Sequence, residues 1–184
     1  MNYKLYLDNT ISNTKFIKYN SNSTNNNNCC FKAILLGLKY NNLVSKYMNS
    51  FILRQKLCNW LLNNYDKYIP ELDDYIQNII ISTHDLLLNE YKEIYVNNIN
   101  TENFDSWGGI PEIIAASYIY NININIYTLC NFNNKSNKIE INNYNNSSRY
   151  KLQFNITQHS NKNIDILWKY NKYNPHYIYI IHKS

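Results

Sequence analysis

A cysteine that follows a polar loop and opens a helix is a candidate nucleophile, and Cys29 has that setting. Residues 20–28 are all Ser, Thr or Asn, and the pattern changes abruptly at Cys29-Cys30-Phe31-Lys32-Ala33-Ile34-Leu35-Leu36. That run is helix-compatible and extends to Gly37 or slightly beyond. A thiol at a helix N-terminus feels the positive end of the dipole, which lowers its pKa and raises its thiolate fraction. The preceding loop could turn backbone N–H groups toward a tetrahedral oxyanion. Cys30, one residue on, points to a different face of the helix, where packing is its expected role. A buried cysteine is most often a small core hydrophobe, so position alone leaves both thiols in play.

A thiolate nucleophile needs a general base, and the chain has four histidines: His84, His159, His176 and His182. His84 reads as a cap-region residue at a helix start, His159 lies in a polar loop, and His182 is close to the C-terminal residue. His176 stands between Pro175 and the apolar stretch Tyr177–Ile181, so a base there would be mounted at the start of a strand. A cysteine followed about 150 residues later by a histidine is the chain order of papain-like enzymes. Spacing alone does not separate a catalytic His176 from a structural one.

The elements that must position these residues follow from periodicity. Residues 1–19 alternate loosely and suit a short strand. Residues 43–65 predict a long amphipathic helix with Leu43, Tyr47, Phe51, Leu57, Trp60 and Leu61 near its apolar face. Pro70 predicts the start of a helix over 71–81, and another is expected over about 84–97 with Asp85 near its start. Pro111 suits a first helical turn, where Glu112 complements the dipole, in a helix running through Tyr118 to Asn121. Ile122, Ile124 and Ile126, separated by Asn, predict a strand. An Asn-rich surface loop or hairpin tip is expected over 131–148, with strands over about 149–157, 164–168 and 177–181. Helices early and strands late predict one compact mixed α/β domain of the α+β type, spanning 1–184, with one sheet.

Composition narrows the classes further. Asn makes up roughly a fifth of the 184 residues, far above ordinary usage, with Ile and Tyr also enriched. All three, with Lys, have AT-rich codons, and the Asn is interleaved with regular apolar patterns, so codon drift explains it better than a prion-like segment. Cys29, Cys30, Cys58 and Cys130 form no CxxC pair, so no metal site and no cofactor is expected. No secretory pattern opens the chain and no apolar run is long enough to span a bilayer. A reducing, cytoplasmic setting is therefore the expectation. The net charge of +5 divides unevenly. Residues 66–112 hold ten acidic side chains against Lys67 and Lys92, and the remainder is basic. The lysines of that remainder are dispersed, which argues against nucleic-acid binding.

Three segments, in order, resemble the ovarian-tumour (OTU) domain family of cysteine proteases, which are deubiquitinases. Asn26-Asn27-Asn28-Cys29-Cys30-Phe31-Lys32-Ala33-Ile34 resembles the family's nucleophile segment, approximately Asp-Gly-Asn-Cys-Leu-Phe-Arg-Ala-Ile. Trp107-Gly108-Gly109-Ile110-Pro111-Glu112-Ile113-Ile114-Ala115-Ala116-Ser117 resembles its middle motif, the most specific of the three. His176-Tyr177 resembles its C-terminal His-Tyr. Together they span about residues 26–180. Two positions depart: Asn26 stands where the family has Asp, and Ile178 where Asp or Asn is frequent.

The resemblance implies a papain-like OTU fold with a central, mostly antiparallel sheet packed between helical regions. It implies Cys29 as nucleophile, His176 as general base and acid, and ubiquitin or polyubiquitin, or a ubiquitin-like modifier, as partner of a monomeric enzyme. Asn174, two residues before His176, is the first candidate to orient the imidazole, and Asp8 the second. Asn26 would belong to the oxyanion loop. Asn28, Trp107, Gly108, Gly109 and Tyr177 would border the groove for the Gly-Gly tail, where glycines permit close backbone approach. The acidic region would complement ubiquitin's basic face. An inactive ubiquitin-binding OTU fold, or a peptidase acting on a polyprotein, is the alternative.

Overall fold

A computed structural model describes residues 14–16, 28–97, 107–129, 150–158, 160–169 and 176–182. Its elements run β1 (Thr14–Phe16), α1 (Cys29–Tyr40), α2 (Ser50–Asn63), β2 (Tyr68–Ile69), β3 (Asp74–Tyr75), α3 (Ile76–His84) and α4 (Leu88–Lys92). A π-helical turn (Glu93–Asn97) follows, then α5 (Ile110–Tyr120), β4 (Asn123–Leu129), β5 (Tyr150–Ile156), β6 (Asn163–Lys169) and β7 (His176–His182). The fold is the α+β arrangement expected from the sequence. Among the described residues no helix is long and apolar enough to cross a membrane.

The main five-stranded sheet has the order β1-β7-β6-β4-β5, and β2 with β3 forms a second, two-stranded sheet where one sheet was expected. Every neighbouring pair is antiparallel except β4 with β6. Alternation decides which face is buried. Ile122, Ile124 and Ile126 are buried while Asn123 and Asn125 between them are half-buried. Ile124 and Ile126 sit opposite Ile164 and Ile166 of β6, and all four belong to the core. Burying each such side chain contributes roughly 1.5–3 kcal/mol.

Helix α1 covers this sheet. Its buried residues are Cys30, Phe31, Ala33, Ile34, Leu35, Gly37 and Leu38, and it packs on β6 and β7. Gly37 permits the approach: a Cβ there would lie 2.6 Å from Cγ2 of Ile164. Just past the helix, the Asn41 Nδ2 donates to the backbone carbonyls of Gly37 (2.9 Å) and Asn163 (3.1 Å). The end of α1 is thereby tied to the start of β6. The other helices gather on α1 and on one another, with α2 packed on α1 and α5, and α3 packed on α5.

Three helix boundaries differ from the periodicity reading. The helix expected over 43–65 begins at Ser50, because Asn49 caps it by accepting from the Ile52 N–H at 2.9 Å. Residues 43–49 are a connection, entered through Asn42 in the left-handed region (φ 55°). Tyr47 and Phe51 are exposed, and the buried face is Leu53, Arg54, Leu57, Cys58 and Leu61. The helix expected over 71–81 begins at Ile76. Pro70 instead occupies the turn of the β2–β3 hairpin, in which Tyr68 pairs with Tyr75. Asp85, expected near a helix start, is the left-handed residue (φ 56°) that ends α3, so the next helix begins only at Leu88. Patterning does not separate a capped break from a continuous apolar stripe, and these side-chain and backbone caps do.

Candidate active site

Cys29 is the first residue of α1, and Asn28 precedes it as N-cap. The carbonyl of Asn28 accepts the Lys32 N–H at 2.9 Å, which starts the helix. No acidic residue stands in the first turn of α1 itself, where an acid would offset the positive end of the dipole. Cys29 is half-buried, while Cys30 is fully buried in the core. Burial, reinforced by the Glu112 charge, pushes the Cys30 thiol well above its ordinary pKa. The two adjacent thiols thus differ in kind: one is reachable at the helix end, the other is protonated packing material.

His176 begins β7, across from Lys169 of β6, and Tyr177 lies across from Trp168. The ends of α1 and β7 can be compared through β6. The C-terminal end of α1 meets the start of β6 at Asn163 and Ile164. β7 runs antiparallel to β6, so its start lies at the opposite end. Twelve residues of helix extend about 18 Å, and seven of strand about 20 Å. Helix α1 packs on both β6 and β7, with its C-terminal end at the end of the sheet opposite the start of β7. Asn26, Asn174 and Asp8 lie outside the described residues. Asp165, a buried acid on β6, pairs with Ile180 rather than His176 in the register and accepts from Asn125 Nδ2 at 2.8 Å. Beside it, burial first and then Asp165 push the Tyr127 hydroxyl up to about 12.

The Trp107-Gly108-Gly109 segment lies against the first turn of α1. A Cβ on Gly108 would fall 2.9 Å from the Phe31 ring and 3.0 Å from Cβ of Cys30. One on Gly109 would fall 2.9 Å from Cγ2 of Thr83. Both glycines are buried and Trp107 is half-buried. The close approach anticipated for a ligand is thus made first by the protein's own helices.

Beneath this segment lies a polar network that the sequence did not signal. Glu112 is fully buried. Its carboxylate accepts from the Tyr91 hydroxyl (2.5 Å) and from the Gly109 N–H (2.5 Å), and it faces His84 Nε2 at 3.2 Å. Burial alone would raise its pKa. The His84 charge and the hydrogen bonds from His84, Tyr91 and Gly109 overcome this and hold it below the ordinary value of 4.5. The dipole role read from its position is present, as the bond its carboxylate accepts from the Gly109 N–H at the start of α5, but most of its partners come from α3 and α4. His84 is the last residue of α3, not the first of a helix. Its Nδ1 lies 3.0 Å from the Tyr95 hydroxyl, which donates to the carbonyl of Trp107 at 2.6 Å. Tyr95 stacks on Tyr91 with centroids 4.4 Å apart.

Arg54 of α2 closes the network on the other side. It is 1% exposed. Its Nε donates to the Tyr95 carbonyl (3.3 Å) and its Nη1 to Oδ1 of Asn28 (3.2 Å). Its guanidinium lies over the rings of Phe31 and Tyr95, at 5.2 and 5.0 Å. Among the described residues no three His, Cys, Asp or Glu side chains group to hold a metal ion.

No curated protein matches the chain. The fold is similar to the Hazara virus OTU solved bound to ubiquitin, at 11% identity over 93% of this chain and 82% of that one, with a TM-score of 0.53. The OTUD1 OTU domain is 14% identical over 92% and 86% of the two chains, with a TM-score of 0.48. An ovarian tumor domain in complex with ubiquitin is 16% identical over 91% and 76%, with a TM-score of 0.46. The model of the family described as OTU-like cysteine protease matches residues 24–165, a span that holds Cys29 and the Trp107-Gly108-Gly109 segment and ends before β7. With most of its length in that match, the chain belongs to the OTU-like cysteine protease family.

Proposed function

We propose that this protein is a deubiquitinase that hydrolyses the isopeptide bond after the C-terminal glycine of ubiquitin. The observation that carries the reading is the setting of Cys29. It is a half-buried thiol at the first position of α1, and the other end of that helix is tied to the start of β6, opposite the start of the strand headed by His176. Its neighbour Cys30 is sealed in the core, which supports reading Cys29 as the nucleophile. In this mechanism the Cys29 sulfur attacks the glycine carbonyl, and His176 accepts the thiol proton. His176 then gives that proton to the departing lysine amine, and water hydrolyses the thioester. Backbone amides around Cys29, with Asn26 in the preceding loop, bind the oxyanion. Asn174 orients the imidazole, with Asp8 as the second candidate. Asn28, Trp107 and Tyr177 border the channel for the Gly-Gly tail.

Charge supports the choice of partner. Asp66, Glu71, Asp73, Asp85, Glu90 and Glu93 are exposed on the helical side, where they would meet a basic face. Glu112 belongs to the same acidic stretch but is buried and adds nothing to that surface.

The test is incubation with ubiquitin carrying a C-terminal electrophile. The expected result is a covalent adduct that is lost in Cys29→Ala and kept in Cys30→Ala. No adduct from folded wild-type protein would sink the ubiquitin-hydrolase reading. An adduct lost only in Cys30→Ala would overturn the assignment of the nucleophile. Stable binding of ubiquitin without any adduct would favour an inactive binding protein.

A further inference from the structure

The Arg54 side chain is the least expected group in the interior. A buried guanidinium is costly unless paired, and among the described residues no carboxylate lies within ion-pair distance of it. Two neutral acceptors and two aromatic rings compensate it instead. Its Nη2 is buried and makes no hydrogen bond among the described residues. Stability alone does not account for such a residue at the centre of an otherwise apolar helix face.

Its contacts are more informative. Asn is among the best N-caps, usually accepting from the second or third N–H of its own helix. Asn28 makes no such bond. Its side-chain oxygen takes Nη1 of Arg54 instead. Arg54 also holds the Tyr95 carbonyl, and the Tyr95 hydroxyl holds the carbonyl of Trp107. One residue therefore links the position immediately before Cys29 to the segment that packs beside the start of α1.

We propose that Arg54 is a positioning residue, which fixes Asn28 and, through Tyr95, Trp107, so that Cys29 and the amides around it are held in their reactive arrangement. The inference rests on the reading of Cys29 as nucleophile. Arg54 does not touch substrate. It removes the freedom of the helix entry, and displacements of about 1 Å in such sites cost up to about 100-fold in rate.

The test uses Arg54→Met, Arg54→Lys, Asn28→Ala and the Arg54→Met/Asn28→Ala double variant. Methionine removes the donors but fills much of the space, and buried ionic groups often tolerate apolar replacement. Arg54→Met is therefore expected to melt within a few degrees of wild type. On a fluorogenic ubiquitin C-terminal substrate, its kcat is expected to fall about tenfold or more with KM little changed. Arg54→Lys, which keeps one donor, should recover part of that loss. Asn28→Ala should lower kcat similarly, and the double variant should be no worse than the poorer single.

A second readout needs no ubiquitin: the pH dependence of Cys29 alkylation by iodoacetamide, followed by peptide mass. The midpoint is expected to move up by about half a pH unit in Arg54→Met and in Asn28→Ala, as the thiol loses its fixed place at the helix end. If wild-type protein ignores ubiquitin, the functional reading fails and alkylation alone decides on Arg54. Wild-type kcat and alkylation profile in Asn28→Ala overturn the proposal even if Arg54→Met does not fold. Additive losses in the double variant overturn it as well.

Discussion

The two sides of α1 are built on different physics. Toward the sheet, α1 meets Ile164 and its apolar neighbours on β4 and β6. This packing is close but non-directional, and several combinations of aliphatic side chains would fill it. Toward the helices, the first turn of α1 meets a network of Arg54, Tyr95, His84, Tyr91 and Glu112, in which every link is a hydrogen bond or ring contact of fixed geometry. The sheet side sets which elements lie together. The helical side sets where Asn28 and Trp107 stand within that arrangement.

Replacing Glu112 is the strongest way to break that contrast. Glu112→Ala strands the Tyr91 hydroxyl, the Gly109 N–H and His84 together, and is expected to destabilise by about 3–5 kcal/mol, measured by denaturant unfolding. The milder Glu112→Gln sharpens the electrostatic part. The folded-state pKa of Glu112 is lowered, so its ionisation stabilises the fold above the unfolded-state value. That contribution is lost as pH falls through the lowered folded value. Glu112→Gln should therefore flatten the stability curve below about pH 4.5, and an unchanged acid slope would refute this role.

On the sheet side, Gly37→Ala forces a methyl against Ile164 and should cost about 1–3 kcal/mol. Ile166→Val, a single methylene lost from the same layer, should cost about 0.5–1.5 kcal/mol. Both are expected to lower the melting temperature while leaving kcat on a ubiquitin substrate at a temperature where they remain folded. A tenfold loss of kcat in either would erase the distinction between the two sides. A comparably small effect concerns a helix end remote from the network. Asn49→Ala removes the cap of α2 and should cost about 1 kcal/mol.

Much of the fold was legible in the chain because local pattern and tertiary packing agree there. The alternation Ile122-Asn123-Ile124-Asn125-Ile126 marks a strand with one buried face, and β4 is that strand. Cys29 as a helix start and Pro111 in the first turn of α5 were readable for the same reason: both are end positions with a local chemical signature. The long helix expected over 43–65 failed where Asn42 and Asn49, two of very many asparagines, act as a turn residue and a cap. In a chain so rich in Asn, a structural Asn does not stand out from the rest.

The sequence by itself determined the order of the chemistry-bearing segments, the strand and helix types, and the family that Trp107-Gly108-Gly109 and the Cys29 segment indicate. Each of these depends on neighbours a few residues apart. Only the tertiary structure decided that Cys30 is sealed while Cys29 is not, and that His84 ends a helix and meets Glu112. It alone joined Arg54 to Asn28, across 26 positions of chain. Periodicity reports which face of an element is apolar. It does not report which polar group on another element will satisfy a buried donor, because that partner is chosen by the packing of whole helices in space.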